Sequence, residues 1–428
     1  MVEPILKFRY PADLTAWEGK RMDESGYRVF GYRWVVMAVY MAVNATIQVL
    51  WISYAPVAAA ASALYGVSEM QIGLFAMVFM IAFIPLSLPA SWLIDRFGAA
   101  RTVGAAVIAV AAFGVLRGLA GPDYMLALIA SCGIAAVQPF LLNSWTKMPA
   151  AWFPVGERAT AVGMLTLASI VGTALGLVVT PILAETMSLT RIQFVYGLAA
   201  AISAAAFVLL VRERPRLPPD ASASSEKALM TAGFRHALST PSFRRYLVMA
   251  FIGMGVFNGV TTWVEAIARP RGLDSTHAGL LGALMLLGGV VGAVIVPMLS
   301  DRVRRRRPFI VAGLAGAVPG LLGLAFAPGF PLIAASCVLL GFSLISVNPV
   351  GMQYASETAH PTPEGSSNGL VSLAGQASVV LVWAMEAINA ATGNFSVSLL
   401  AMAVLLAVAA LLGSSLKENG VKTGATTG

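Results

Sequence analysis

The stretch Ser91-Trp92-Leu93-Ile94-Asp95-Arg96-Phe97-Gly98-Ala99-Ala100-Arg101 ends one apolar run, residues 70–93, and leads into a second, residues 102–120. Each run is long enough to cross a bilayer, which takes about 20 apolar residues in a helix. A shorter copy, Pro297-Met298-Leu299-Ser300-Asp301-Arg302, follows another apolar run 206 residues further on. The stretch and its copy predict a membrane protein built from two related halves.

Two further pairs of residues support the duplication. Glu157 and Glu364 are 207 residues apart, and Cys132 and Cys337 are 205 apart, so three landmarks share nearly one offset. Parallel repeats of this kind are how many membrane transporters are built.

The composition excludes a water-soluble fold of this size. Of 428 residues, 58% are hydrophobic and 11% charged, whereas soluble domains carry about 25% charged residues. The net charge of +8 does not indicate nucleic acid, because nearly all Lys and Arg lie in short loops between apolar runs. The two cysteines lie inside apolar runs and form no disulfide or metal-binding pattern. We expect lipid to surround the chain.

The chain contains twelve apolar runs long enough to span. They predict an all-α membrane protein of two pseudo-twofold-related six-helix bundles, residues 34–211 and 244–415. A polar linker, 212–243, separates the bundles, and segments 1–33 and 416–428 flank them. The runs cover residues 34–60, 70–93, 102–120, 123–147, 160–184, 192–211, 244–268, 278–299, 309–327, 330–353, 368–391 and 395–415.

The positions of Lys and Arg predict the orientation. If the N-terminus is cytoplasmic, 24 of the 28 bases lie in cytoplasmic segments, as the positive-inside rule requires. The first 33 residues have no apolar core like that of a cleavable signal peptide. We therefore expect an inner (plasma) membrane protein with both termini and the linker in the cytoplasm.

Polar and aromatic residues inside the apolar runs indicate a solute site, because such residues tend to face the bundle interior or a water-filled cavity. The predicted solute-binding residues are Gln48, Trp51, Tyr54, Gln138, Asn258, Glu265 and Gln376. Glu265 and Glu386 could each be a proton-coupling carboxylate or an anchor for a cationic solute. A third hypothesis applies to Glu265 alone: it lies beside Arg269 and Arg271 and would be a solvated charge at the rim. Arg117 and Asp123 flank a short turn and are expected to form a rim pair.

The charged loops predict a gate. Asp95 is suited to cap a neighbouring helix and to pair with an Arg across the cytoplasmic face, closing that face when the protein opens outward. The predicted gating residues are Asp95, Arg96, Arg101, Glu157, Asp301, Arg302 and Glu364. The alternative, which we prefer for Arg304 to Arg307, is that loop charges only hold the loop inside.

The Asp-Arg loop resembles the signature of the major facilitator superfamily, and further residues resemble the feline leukaemia virus subgroup C receptor family. That family is known for choline and ethanolamine transport and for proposed haem export. The resemblance is carried by Tyr32 to Val36, Asn44, Gln48 to Tyr54, Pro85-Leu86, Trp92 to Asp95, Gln138, Trp152-Phe153, Glu357-Thr358, Pro361, Pro363 to Leu370 and Gln376.

The resemblance implies roles for several residues. Trp51 matches the tryptophan that stacks on a quaternary ammonium group in that family, and Gln138 and Gln376 match its cavity glutamines. Asn258 stands where the choline carriers have a second aromatic residue, which opens the aromatic cage. Haem has less support, since the three histidines, His236, His277 and His360, lie in predicted loops.

These observations predict a secondary transporter that moves a small polar or amine-type solute by rocker-switch alternating access. Alternatives are proton-coupled efflux of drugs or metabolites, haem export and a receptor that does not transport. We do not expect an enzyme, because no Ser/His/Asp, metal or nucleotide pattern is visible. We expect no cofactor, metal or nucleic acid. The expected partners are a small solute, the bilayer and, for the efflux alternative, a proton, and the expected state is a monomer.

Overall fold

The computed structural model describes residues 29–145, 147–215, 230–360, 362 and 364–417, and the regular elements within those ranges are helices. Most of the expected segment 1–33 and of the expected tail 416–428 lies outside the described residues, as do residues 216–229 of the expected linker.

Twelve helical spans follow one another along the described chain. Eleven are long and apolar enough to cross a bilayer by themselves, and the twelfth, span 7, qualifies when its two helices, bent by 74°, are taken together. In order they are Arg33–Tyr65, Glu69–Phe97, Ala99–Leu119, Tyr124–Asn143, Val155–Ala184, Leu189–Leu210, Pro241–Thr262 with Val264–Arg271, Ser275–Val303, Arg307–Phe326, Phe330–Thr358, Glu364–Ala377 with Val379–Thr392, and Phe395–Gly413.

The two ends of the bundle differ. At one end, the short-loop end, turns of two to four residues join spans 1 to 2, 3 to 4, 5 to 6, 7 to 8, 9 to 10 and 11 to 12. The other end, the connector end, carries the helices Lys147–Trp152 and Met230–Ser239. The second of these lies inside the segment expected to be a linker.

The sequence places N-cap residues where spans begin at the short-loop end. Ser68, Asp123, Ser188, Asp274 and Asn394 each accept a backbone N–H with the side chain, at the start of spans 2, 4, 6, 8 and 12. Such caps satisfy amides that a helix leaves without a partner. Because lipid offers no hydrogen bonds, the backbone between caps pairs with itself as helix.

Helix packing repeats between the halves. Span 1 packs on spans 5 and 6 and span 3 on span 6; in the same way span 7 packs on spans 11 and 12 and span 9 on span 12. The halves meet where span 5 contacts span 8 and where span 2 contacts span 11. These two contacts exchange under the pseudo-twofold, and between them lies the seam where a solute cavity is expected.

Candidate functional site

A small cavity lies on the seam between the halves, toward the short-loop end. It is lined from both halves, mainly by aromatic and small side chains. The front half contributes Trp51, Tyr54, Ala55, Ala58, Ile72, Gly73 and Ala76, and the rear half contributes Thr262 and Trp263. Trp51 and Tyr54, both predicted solute-binding residues, therefore face a residue of the opposite half.

Hydrogen bonds hold the two indoles. The Nε1–H of Trp51 donates to the Ala76 carbonyl at 3.2 Å, and that of Trp263 donates to the Val382 carbonyl at 2.9 Å. Trp263 packs against the backbone of Gly73 across the seam, and a methyl group added at Gly73 would overlap its ring. The absence of a side chain at Gly73 is what lets the rear-half indole reach the cavity.

Trp263 was not among the predicted solute-binding residues, and it changes the reading of Asn258. The sequence comparison suggested that Asn258 leaves the aromatic cage open, but Trp263, five residues later on the same span, supplies an aromatic ring to the cavity. The available signal was an aromatic residue within the apolar run of span 7, two residues before Glu265.

Breaks in the helices lie beside the predicted residues. Span 1 breaks at residues 53–54, after Trp51, and span 7 breaks at Trp263. Span 4 breaks at residues 136–137, before Gln138, and span 11 breaks at residue 378, two residues after Gln376. Broken helices inside transporters expose backbone groups at the place where solute binds.

Glu265 is buried and bridges the halves. It is 4% exposed, and its Oε2 accepts the backbone N–H of Ala59 at 2.8 Å. Ala59 lies in the first turn of the helix Ala58–Tyr65, so a rear-half carboxylate caps a front-half helix. Its other oxygen lies 3.9 Å from Arg269. Of the alternatives for Glu265, the solvated rim charge is therefore wrong.

Further charged residues lie near the hydrogen bond between Glu265 and Ala59. Arg269 pairs with Glu69 of the front half at 2.6 Å. Glu386, which is buried and accepts from Asn389 at 3.1 Å, interacts electrostatically with Glu69 and Arg269. Two carboxyl groups, of Glu69 and Glu265, therefore lie within 4 Å of the Arg269 guanidinium at the short-loop end of the seam, and Glu386 is a third carboxyl group in the same region.

The remaining predicted solute-binding residues do not line this cavity. Gln48 and Asn258 are buried on spans 1 and 7, and Gln376 is half-buried on span 11. The Oε1 of Gln138 is buried without a hydrogen-bond partner among the described residues.

The predicted gating residues lie at the connector end, and the contacts that the structure describes for them stay within one half. Asp95 pairs with Lys147 rather than with an arginine, and Glu157 pairs with Arg33 at 3.0 Å. In the rear half Asp301 pairs with Arg306. The Arg96 guanidinium stacks over Trp92, Arg101 and Arg302 are exposed, and the side chain of Glu364 lies outside the described residues.

The residue that caps span 3 is Glu213, which follows span 6, and not Asp95. Its two carboxylate oxygens accept the backbone N–H groups of Ala99 at 2.6 Å and of Ala100 at 2.8 Å. A carboxylate at a helix N-terminus is stabilised by the helix dipole. Sequence reasoning missed this contact because 113 residues separate Glu213 from Ala100.

The expected rim pair of Arg117 and Asp123 is wrong. Arg117 is 1% exposed and bonds inside the front half, whereas Asp123 caps its own helix by accepting the N–H of Leu126 at 3.0 Å. The short turn brings the two residues close in sequence, but the helix directs the Arg117 side chain between spans 1 and 6.

The sequence profile described as Major Facilitator Superfamily matches residues 32–382 and, in a second match, 264–423. The chain belongs to the major facilitator superfamily. Solute carrier family 49 member A3 of Xenopus tropicalis is 29% identical over 380 residues, 83% of this chain and 77% of that protein. The choline/ethanolamine transporter flvcr2b of Danio rerio is 25% identical over 370 residues, 82% and 76% of the two chains.

A solved structure shares the fold. A bacterial homolog of the human lysosomal transporter Spinster, inward-facing and unoccupied, superposes with a TM-score of 0.72 at 17% identity, over 90% of this chain and 96% of that one. The family and its relatives establish this chain as a multi-pass secondary transporter of the major facilitator superfamily and not an enzyme, and they confirm the expected resemblance to the feline leukaemia virus subgroup C receptor family.

Proposed function

We propose that this transporter carries a small polar or amine-type solute through the seam between its halves by rocker-switch alternating access. The observation that carries the proposal is the cavity on the seam, where Trp51 and Tyr54 of one half meet Trp263 of the other. Residues contributed by both halves form a site only while the halves stay close, so solute binding and rocking are coupled.

The aromatic lining favours a cationic amine. An indole face attracts a desolvated cation by about 0.5–2 kcal/mol. Glu265 lies two residues after Trp263 and adds negative charge to the same end of the seam. Relatives that bear the name choline/ethanolamine transporter support an ammonium group as the recognised chemistry.

The predicted gating residues are suited to the other state of the transport cycle, in which the connector end is closed. Hydrogen bonds and ion pairs now join the halves at the short-loop end, through Ala59 with Glu265, Glu69 with Arg269 and Glu185 with Thr276. We take the connector end, with its excess of bases, to face the cytoplasm. On that assignment the structure is closed outside, and Asp95, Arg96, Arg101, Glu157, Asp301, Arg302 and Glu364 form the inner gate when the halves tilt the other way.

Uptake by the purified transporter in liposomes tests this function. Choline, ethanolamine, haem, an amino acid and an organic anion are offered in turn, and we expect an amine to accumulate. Trp51→Ala should raise the solute KM about 2- to 30-fold, from the lost cation–π contact. Trp383→Ala is the matched control, because Trp383 is 54% exposed on a lipid-facing side of span 11. Normal amine uptake by Trp51→Ala would contradict the aromatic site.

A second candidate is proton-coupled efflux, favoured by the buried carboxyl groups of Glu265 and Glu386 at the short-loop end of the seam. In this case Glu265 or Glu386 exchanges a proton during the cycle. Dissipating the pH gradient distinguishes the two, because a carrier without coupling still equilibrates its solute whereas a proton-coupled one loses accumulation. Loss of that pH dependence in Glu386→Gln would assign the coupling to Glu386.

A further inference from the structure

Arg117 is a buried cation on a span that does not line the cavity. It is 1% exposed on span 3, between spans 1 and 6. The groups that receive its hydrogen bonds are uncharged: the Leu50 carbonyl at 2.8 Å, the Ser53 hydroxyl at 3.2 Å and the Gln193 amide oxygen at 2.5 Å. A buried charge inside a membrane is costly and marks a functional role unless packing alone accounts for it.

The contacts of Arg117 are placed on the break in span 1. Leu50 lies in the last turn of the helix Arg33–Ile52, and its carbonyl accepts the Ser53 hydroxyl at 3.4 Å in place of a backbone N–H from a further helical turn. A cation is favourable at that end of the helix dipole. Ser53, the residue at the break, also donates to the Gln193 oxygen at 3.2 Å. Arg117, which lies on span 3, therefore caps the C-terminal end of the helix Arg33–Ile52. That helix end leads into the cavity.

The same guanidinium reaches a cavity residue. Its carbon lies 5.3 Å from the centre of the Tyr54 ring, within the range of a cation–π contact. The Tyr54 ring stacks on Phe75 of span 2 at 4.4 Å, and its hydroxyl bonds to that of Tyr65 at 2.7 Å. Three residues from different parts of the chain, Phe75, Tyr65 and Arg117, therefore hold the Tyr54 ring. Arg117 is the charged residue among them.

The rear half has a related contact. Arg271, at the end of span 7, donates to the Ala325 carbonyl in the last turn of span 9 at 2.6 Å. In each half an arginine thus joins the first span, which is broken, to the third span. The donor and acceptor spans are exchanged between the halves. The arginine lies on span 3, the third span of the front half, but on span 7, the first span of the rear half.

We propose that Arg117 is a positioning residue for the solute cavity, holding the break in span 1 and the Tyr54 ring so that Trp51 and Tyr54 face the seam as a preformed pair. The inference rests on the proposed function in that it takes this cavity to be the solute site. Tyr54 and Trp51 touch the solute, and Arg117 acts through them.

Hydrogen exchange of the protein in lipid nanodiscs tests the positioning without any solute. Arg117→Gln removes the charge and the fork of donors, and we expect amides of residues 53–58 to exchange about 10- to 100-fold faster. Arg117→Lys keeps a buried cation and should restore part of the protection. Arg191→Gln is the matched control, because Arg191 is exposed in the same half and at the same end of the bundle. Unchanged exchange over residues 53–58 in Arg117→Gln would overturn the inference, as would an equal rise throughout spans 3 and 6.

Transport kinetics supply the second measurement. With the amine taken up by the wild type, Arg117→Gln should raise KM about tenfold or more and leave the maximal rate per folded molecule within threefold. Arg117→Lys should lie between the two. A fall in maximal rate at unchanged KM would contradict a positioning role. If the wild type takes up no amine, the proposed function fails, and the exchange experiment still decides whether Arg117 holds the break.

Discussion

Replacing Glu265 tests whether the cap across the seam keeps the short-loop end closed. A hydrogen bond to a charged group contributes about 1.5–3 kcal/mol and a neutral one about 0.5–1.5 kcal/mol. Because Gln still accepts from the Ala59 N–H, Glu265→Gln loses about 1 kcal/mol there. Up to about 1 kcal/mol more is lost with Arg269, whose side chain is 43% exposed. The total of about 1–2 kcal/mol shifts the equilibrium toward opening about 5- to 30-fold.

Removing the side chain altogether has a larger effect. Glu265→Ala leaves the first turn of the helix Ala58–Tyr65 without its carboxylate, and we expect about 2–3 kcal/mol, or about 30- to 150-fold, in favour of the open short-loop end. The order wild type, Glu265→Gln, Glu265→Ala follows directly from the strength of the acceptor. A larger effect of Gln than of Ala would show that the cap is not what holds the halves.

Spin labels measure this equilibrium. Cysteines at Thr186 and Thr392, both exposed at the short-loop end and one in each half, report the distance between the halves once Cys132 and Cys337 are replaced by Ala. The control is Glu185→Gln, which weakens an exposed contact across the seam, the hydroxyl of Thr276 at 3.3 Å, and should shift the populations less than twofold. Distance distributions that stay within twofold of wild type in both Glu265 variants would refute the reasoning.

Three more changes follow from the same contacts. Gly73→Ala should open the short-loop end in the spin-label experiment, since its methyl overlaps the Trp263 indole and overpacking costs about 1–3 kcal/mol. Glu213→Ala should lower the free energy of unfolding by about 1–2 kcal/mol in thermal denaturation in detergent, because span 3 loses its N-cap, and a change below 0.3 kcal/mol, on the order of measurement error, would reject the cap. Hydrogen bonds from His277 hold the pKa of Asp274 below its ordinary value, so its stabilisation is complete above about pH 4 and is lost as the pH falls further. Asp274→Asn should therefore lower the melting temperature at pH 7, and the difference from wild type should shrink as the pH falls below about 4.

Sequence patterns predicted the bundle because a bilayer imposes one requirement on every span. Each span needs about 20 apolar residues and must satisfy its own backbone, and both conditions are readable from local composition. The runs at 70–93 and 278–299 lie inside the helices Glu69–Phe97 and Ser275–Val303. The helix ends were harder to place, since polar residues such as Asp95 remain helical past the apolar core.

The site was predictable only in part. Trp51 and Tyr54 were identified because aromatic and polar residues are conspicuous in an apolar helix, and both line the cavity. Trp263 was not predicted to line the cavity, because its contact with the cavity depends on the absence of a side chain at Gly73, a residue of the other half. Arg117 was misplaced because closeness to a turn in sequence does not tell which way a helical side chain points.

By itself the sequence determined the solvent, the number of spans and the duplication, because hydropathy and repeated motifs are properties of the chain in order. Only the tertiary structure decided which end of the seam is closed and which side chains meet there. Glu265 and Ala59 are 206 residues apart, and their contact exists in one tilt of the halves. A contact between two bodies that move against each other depends on their relative position, which no local pattern of residues encodes.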